Sequence, residues 1–380
     1  MYTPMTPLLG QHKDGIRLLE AHDQLSTKLI QETVGEDGQC FQGVWISGLT
    51  QTTHLGIPDT EIISPLRRAK ILQVASHNAH CGDGRPLCAA FDADSGGDPG
   101  EIPALVSVLA TLGVSMVIIE DKTLEEPGRK VNSLCQTSSQ KQADPEEFAQ
   151  VIQRFKSASA GRDLLVTARI ESLNVRIAKN DPIEESASLQ ASLQDALLRA
   201  ETYTGAGADA IMIHSKSRSP SEVLEFSHRF RAIDPHTPLV VVPTTYSSTT
   251  RATLIDAGAD VVIYANHLMR AKIKAVGSIS DQMMARTPDL FINDTLARAC
   301  LKAHNYGCLL RLLVEQNSWD DAMHPEARSY LVLAQKLAVA NMAAAVEELA
   351  LGEHSGCEAD PRIISVKDLL KINALQVATM

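Results

Sequence analysis

The segment Pro86-Leu87-Cys88-Ala89-Ala90-Phe91-Asp92-Ala93-Asp94-Ser95-Gly96-Gly97-Asp98 decides how the chain is read, because an uncharged apolar run ends abruptly in carboxylates and glycines. A run of this length between turn formers suits a strand covered on both faces, as in a parallel sheet. Alternation continued past its end puts Asp92 and Asp94 on one side and Ala93 on the other. Two hard oxygen donors then converge on one point, and the glycines let the backbone fold tightly beside it. Magnesium is the cation such donors suit. The same residues also suit an Asp-rich turn that only caps a helix over 99–113, and this stretch alone leaves both readings open.

Working outward, short apolar runs recur at 16–22, 43–47, 87–92, 114–120, 164–171, 208–214, 239–243 and 261–265, eight in all. Helical patterns lie between them at 24–33, 102–112, 145–158, 189–205, 220–232 and 250–258, several ending at the glycine that helix C-termini favour. Asp23 is the expected cap of the first. Eight βα units predict an α/β fold of the closed (β/α)8 TIM type. A doubly wound open sheet would carry a Gly-rich turn after its first strand, and Glu20-Ala21-His22-Asp23-Gln24 offers none. Residues 1–286 are read as the barrel and 287–380 as a C-terminal helical extension, with helices over 295–303, 308–315, 326–351 and 365–375.

The chain has 380 residues, 4% aromatic content and a formal net charge of −11, with no long basic run, so a nucleic-acid surface is not expected. Seven cysteines form no Cys-x-x-Cys pair, which suits reduced thiols. The N-terminal residues lack the apolar core of a signal peptide and no later stretch approaches a membrane span, so a cytoplasmic location is expected.

In a barrel the C-terminal strand ends form the working face. They bring Glu20 and His22, Ser47 with Gly48, Asp92 with Asp94, Glu120 with Asp121 and Lys122, Arg169 with Glu171, His214 with Ser215 and Lys216, Thr244 with Tyr246, and Asn266 with His267. Each alone also suits a helix cap or a scaffold salt bridge; together they mark a site.

An ordered set of motifs is similar to the phosphoenolpyruvate mutases of the isocitrate lyase superfamily over roughly residues 15 to 285. They are Gly43-Val44-Trp45-Ile46-Ser47-Gly48-Leu49-Thr50, Gly56-Ile57-Pro58-Asp59, Asp92-Ala93-Asp94-Ser95-Gly96-Gly97, and Glu120-Asp121-Lys122 followed by Lys130-Val131-Asn132-Ser133. After these come Ala168-Arg169-Ile170-Glu171, His214-Ser215-Lys216, Pro243-Thr244 and Ala265-Asn266-His267. The chain departs at Ala93, where Gly is common, and at Ser95-Gly96-Gly97-Asp98, where the family usually has Thr-Gly-Tyr-Gly; neither change removes a ligand.

The resemblance implies interconversion of phosphoenolpyruvate and phosphonopyruvate by intramolecular phosphoryl transfer, the carbon–phosphorus bond-forming step of phosphonate biosynthesis. It implies Mg²⁺, with Mn²⁺ as a substitute, bound directly by Asp92 and through water by Asp94 and Glu120. It implies that Arg169 and the amides around Ser47, Gly48 and Leu49 hold the substrate carboxylate, and that Asp59, Lys130 and Asn132 surround the migrating phosphoryl group. Trp45, His214 and Ser133 complete the substrate contacts. Read from the residue alone Trp45 is core, and Ser47 a hydrogen-bond donor rather than a nucleophile, since no base is marked to activate it. The stretch 123–134 is read as a mobile lid carrying Lys130 and Asn132. Further implications are a homodimer or homotetramer with an exchanged C-terminal helix, and a downstream enzyme that consumes phosphonopyruvate. The rival activities are a phosphonopyruvate hydrolase, a carboxyphosphonoenolpyruvate mutase-like enzyme and a non-catalytic assembly paralogue. A carbon–carbon lyase is disfavoured because the Lys-Cys-Gly-His loop of those enzymes is absent.

Overall fold

A computed structural model describes residues 2–12, 14–35, 38–56, 59–78, 86–123, 141–177 and 179–273. The proposed lid residues Lys130, Asn132 and Ser133 lie outside these, as do the C-terminal helices and the boundary near residue 286. The elements in order are α1 (Thr6–Gln11), β1 (Ile16–Glu20), α2 (Gln24–Glu32), β2 (Gly43–Ile46), α3 (Gly48–His54), α4 (Pro65–Asn78), β3 (Cys88–Asp92), α5 (Ile102–Leu112) and β4 (Met116–Glu120). There follow α6 (Pro145–Ala158), β5 (Leu165–Ile170), α7 (Ser172–Val175), α8 (Pro182–Gly205), β6 (Ala210–Ile213), α9 (Ser221–Ile233), β7 (Leu239–Val241), α10 (Arg251–Asp256) and β8 (Val261–Tyr264). The strands pair in sequence order, all parallel, and β1 closes on β8. The (β/α)8 barrel expected from the apolar runs is the observed fold.

Alternation along the strands sorts the core into two layers. One parity points outward under the helices and carries Leu19, Val44, Phe91, Val117, Val166, Ile211, Val241 and Val262. The other fills the lumen with Ile16, Leu18, Trp45, Cys88, Ala90, Met116, Ile118, Ala210, Met212, Val240, Val261 and Ile263. Both faces are buried, which is why the strands read as continuous apolar runs rather than as alternating ones.

The residues ahead of β1 include a short helix. Pro7 stands in the first turn of α1, where its missing N–H costs nothing. Met5 joins the lumen cluster with Leu8 and Leu9 against it, and Thr3 N–H donates to the Leu87 carbonyl just ahead of β3, so this segment covers the N-terminal end of the barrel. Asp23 caps α2 as expected, in a reciprocal box with Ser26.

Candidate active site

The parity that fills the lumen with apolar side chains delivers polar ones at the C-terminal mouth. Two residues beyond Ala90, Ile118, Thr167, Met212 and Val242 stand Asp92, Glu120, Arg169, His214 and Thr244, and all five line one cleft with Trp45, Ser47, Leu49, Asp59 and Asn266. Its volume, counting the space open at its mouth, is about 570 Å³. Register makes neighbours of Glu120 and Arg169 on adjacent strands. Trp45 serves in both ways foreseen for it, as lumen core and as cleft wall.

Alternation fails at Asp94. The strand ends at Asp92, and Asp94 takes a left-handed φ of 51°. Its side chain therefore reaches the site from a turn rather than from the strand face. Glu61 (φ 57°) is the other non-glycine residue with positive φ among those described, and Ser95 ties the two turns by donating from its N–H and Oγ to the Glu61 carboxylate at 3.0 and 2.9 Å. Such conformations persist where the surroundings over-determine them.

The carboxylates converge on Gly48. Oxygens of Asp94, Asp92 and Asp59 lie 3.1, 3.2 and 3.5 Å from the position a Cβ on Gly48 would take, so any side chain there would crowd the first two. The resemblance set Asp59 with the phosphoryl group; the geometry groups it with the other two aspartates. The Gly48 N–H, expected on the substrate carboxylate, donates instead to Asp92 Oδ2 at 3.0 Å. Beneath the cluster lies Arg68 of α4, fully buried, which sequence reasoning missed. It donates to Asp94 and, at 2.7 Å, to the Asp92 carbonyl, stacks over Phe91, and takes a third partner in Gln51 Oε1 at 3.1 Å. Burial works against its charge, but Asp94, Asp92 and Asp59 outweigh burial and keep it protonated.

Across the cleft, Arg169 is anchored by Glu171 through Nε at 2.6 Å and by Glu120 through Nη1 at 3.2 Å. Lys122 Nζ stands 3.5 Å from Glu120, and Asn174 donates to Glu171 at 2.9 Å. A guanidinium held at two points presents a fixed cation to the cleft. Asp121, by contrast, faces away from the cleft: it accepts from Tyr203, Arg199, Gln142 and the Glu171 N–H, a scaffold role.

His214 is buried, and burial first and the charge of Arg169 second push its pKa from the ordinary 6.5 down to about 4. It is a neutral ring at working pH, suited to orienting neighbours. Because the unfolded chain takes up this proton and the folded chain refuses it, its stability contribution is whole above about pH 6.5 and is lost as pH falls toward 4, by about 3 kcal/mol. Urea titrations of the wild type and His214→Gln between pH 7.5 and 4.5 are expected to show a shallower acid limb in the variant; parallel limbs would contradict the assignment.

Of the sequence-nominated residues, the structure gathers Trp45, Ser47, Leu49, Asp59, Asp92, Glu120, Arg169 and His214 around the cleft, with Gly48 and Asp94 directly behind the carboxylates. Tyr246 is fully buried and does not line it. Carboxylate oxygens gathered about one glycine are the donor type that suits a hard divalent cation.

Residues 7–284 match the family described as phosphoenolpyruvate phosphomutase. A phosphoenolpyruvate phosphomutase from Tetrahymena pyriformis is 31% identical over 271 residues, 71% of this chain and 79% of that protein. The crystal structure of phosphoenolpyruvate phosphomutase from Streptomyces platensis subsp. rosaceus superimposes with a TM-score of 0.60 at 32% identity, over 74% of this chain and 86% of that one. A phosphonopyruvate hydrolase solved with oxalate and Mg²⁺ gives a TM-score of 0.57 at 26% identity, over 74% and 87%. Among the described residues, no helix is long and apolar enough to cross a membrane.

Proposed function

The chain belongs to the phosphoenolpyruvate phosphomutase family, and on that premise we propose that it interconverts phosphoenolpyruvate and phosphonopyruvate by moving a phosphoryl group within the substrate. The observation that carries this reading is the cleft's lining, which brings Asp59, Asp92 and Glu120 together with the fixed Arg169 and the neutral His214. Phosphoryl transfer asks a protein for positioning and charge neutralisation rather than covalent chemistry, and this wall supplies both.

In this reading Asp92 holds Mg²⁺ directly, with Asp94, Glu120 and Asp59 beside it, and the resemblance to a Mg²⁺-containing hydrolase structure supports that choice. When bound, the cation supplies positive charge beside the oxygen on which the enolate charge develops. Arg169 receives the substrate carboxylate, and the Ser47 hydroxyl and Leu49 amide complete its cradle. Glu120 and Glu171 keep Arg169 from following the substrate out of place. The resemblance assigns Lys130 and Asn132 to the migrating phosphoryl group; both lie outside the described residues.

The hydrolase reading stays as the second because a hydrolase structure overlays nearly as well as a mutase. Purified protein incubated with phosphonopyruvate and Mg²⁺ and followed by ³¹P NMR separates the two. The expected result is a phosphoenolpyruvate resonance growing as phosphonopyruvate declines, without stoichiometric free phosphate. Phosphate with pyruvate as the main products establishes the hydrolase.

A further inference from the structure

We propose that His22, Asp23 and His54 form a second metal site, for a divalent transition ion of the zinc type, whose cation position the ammonium of Lys272 takes in this structure. The three residues offer ligand atoms that all lie within 4.8 Å of one another, and none of them lines the substrate cleft. His22 follows β1, Asp23 caps α2, His54 ends α3 and Lys272 comes from the segment after β8, so the site joins both ends of the barrel's strand order.

The geometry around Lys272 is that of a cation in a ligand cage. Its Nζ lies 3.3 Å from His22 Nε2, 3.0 Å from Asp23 Oδ2 and 3.2 Å from His54 Nδ1. An ammonium only donates, so both ring nitrogens turn a lone pair toward that point, as metal ligands must. For His22 the second nitrogen enforces this tautomer: Nδ1 sits 2.6 Å from Glu20 Oε1, a buried carboxylate that accepts its proton and leaves Nε2 bare. Glu20 is itself held, its other oxygen accepting the Met269 N–H at 3.0 Å. A carboxylate behind a histidine, orienting it toward a cation, is the outer-shell arrangement that metal-bound imidazoles use.

Distances agree with the exchange. Tetrahedral zinc with bonds of about 2.0–2.1 Å sets its ligand atoms about 3.3 Å apart. His22 Nε2 and Asp23 Oδ2 are already 3.5 Å apart, and His54 is exposed and stands on the last turn of a short helix. Lys272 is 28% exposed at its side chain, so its flexible stem can swing the ammonium to solvent when a doubly charged ion arrives. Two imidazoles and one carboxylate select zinc, cobalt or nickel, whereas the all-oxygen cradle at Gly48 selects magnesium, so the two sites divide cations by ligand softness.

Cobalt(II), with its visible absorption in nitrogen-rich four- or five-coordinate sites, is the probe. The full chain is titrated with Co²⁺ under saturating Mg²⁺, and again in the Asp92→Ala background so that the cleft contributes no signal. An intense visible band that zinc displaces is expected in both. Lys272→Met removes the internal competitor and should tighten binding about tenfold or more, since the metal-competent state no longer has to be released from the ammonium. Glu20→Gln keeps a hydrogen-bond acceptor but loses the charge behind His22, and should weaken binding roughly 10–100-fold. The exposed His54→Gln change should abolish the band without unfolding the protein. The proposal fails if neither the wild type nor Lys272→Met develops the band, or if His54→Gln retains it with unchanged affinity; in either case Lys272 is the permanent cation of a purely structural cluster.

Discussion

Asp92→Ala is expected to lower turnover on the order of a thousandfold or more, the largest catalytic loss of any single carboxylate change in the cleft. Asp92 is the one member of the aspartate cluster that closes a strand, faces the cleft and has its orientation set by the Gly48 N–H and the Asp94 N–H, at 3.0 and 3.3 Å. A side chain so fixed is placed to bond a cation rather than to follow one. Losing it removes the charge stabilisation itself, worth several kcal/mol, whereas losing a neighbour that holds a water ligand only misplaces that stabilisation. Asp92→Asn is the control: it still accepts from Gly48, so the fold is kept, and its turnover should fall nearly as far. The comparison must be made per folded molecule, because Asp94→Ala would strand Arg68 and lower activity through stability. Wild-type turnover should vanish in excess chelator and return with Mg²⁺. Full activity in chelator, or a greater kcat loss in Asp94→Asn than in Asp92→Asn, would falsify the assignment of Asp92.

What could be read from residue order alone follows from which forces act locally. All eight strands lie inside the apolar runs because a strand buried on both faces is mostly apolar, with polar residues such as Arg17 and Arg169 as isolated exceptions. Helices α5 and α6 fall on the expected residues, since each starts at a first-turn proline and α5 stops at the left-handed Gly113. Helix α8 begins seven residues before the expected 189, at an Asp181-Pro182 cap that was legible and overlooked. Helix α3 was not legible. Gly48-Leu49-Thr50-Gln51-Thr52-Thr53-His54 has poor helix propensity, and tertiary burial overrides it, while the buried Thr52 and Thr53 hydroxyls are satisfied by donating to carbonyls four residues back at 2.8 and 2.7 Å. The cleft residues on strands were found because parity carries them there. Asp94 was found for the wrong geometric reason, as its left-handed φ breaks the alternation that nominated it. Arg68 left no signal, because Arg67-Arg68 on a helix reads as solvated surface until α4 is seen packed behind β3. The His22 and His54 pairing was equally invisible, since contact between positions 32 residues apart depends on how α3 is laid down.

Arg68→Met is expected to destabilise the fold by about 3–5 kcal/mol, the largest stability loss of any cleft-side substitution. Methionine fills similar volume and can lie against Phe91 as the guanidinium does, so the change removes charge and donors more than packing. What remains is a buried Asp94 carboxylate, an Asp92 carbonyl and a Gln51 amide oxygen that have each lost a donor in a site closed to bulk water. The loss should therefore come from the uncompensated partner rather than from the missing residue, and a double-mutant cycle distinguishes these. If Asp94 is the main creditor of the guanidinium, Arg68→Met combined with Asp94→Leu should cost less than the sum of the two single changes by more than about 1 kcal/mol, because neither half is then left behind. Urea unfolding at pH 7 without divalent cation measures all four corners of the cycle. Strict additivity, or a loss below about 1 kcal/mol in Arg68→Met alone, would show that the arginine only fills space. Strong coupling would mean that the carboxylate cradle is held together by a cation beneath it before any metal arrives, so that the aspartates stand pre-assembled despite their mutual repulsion.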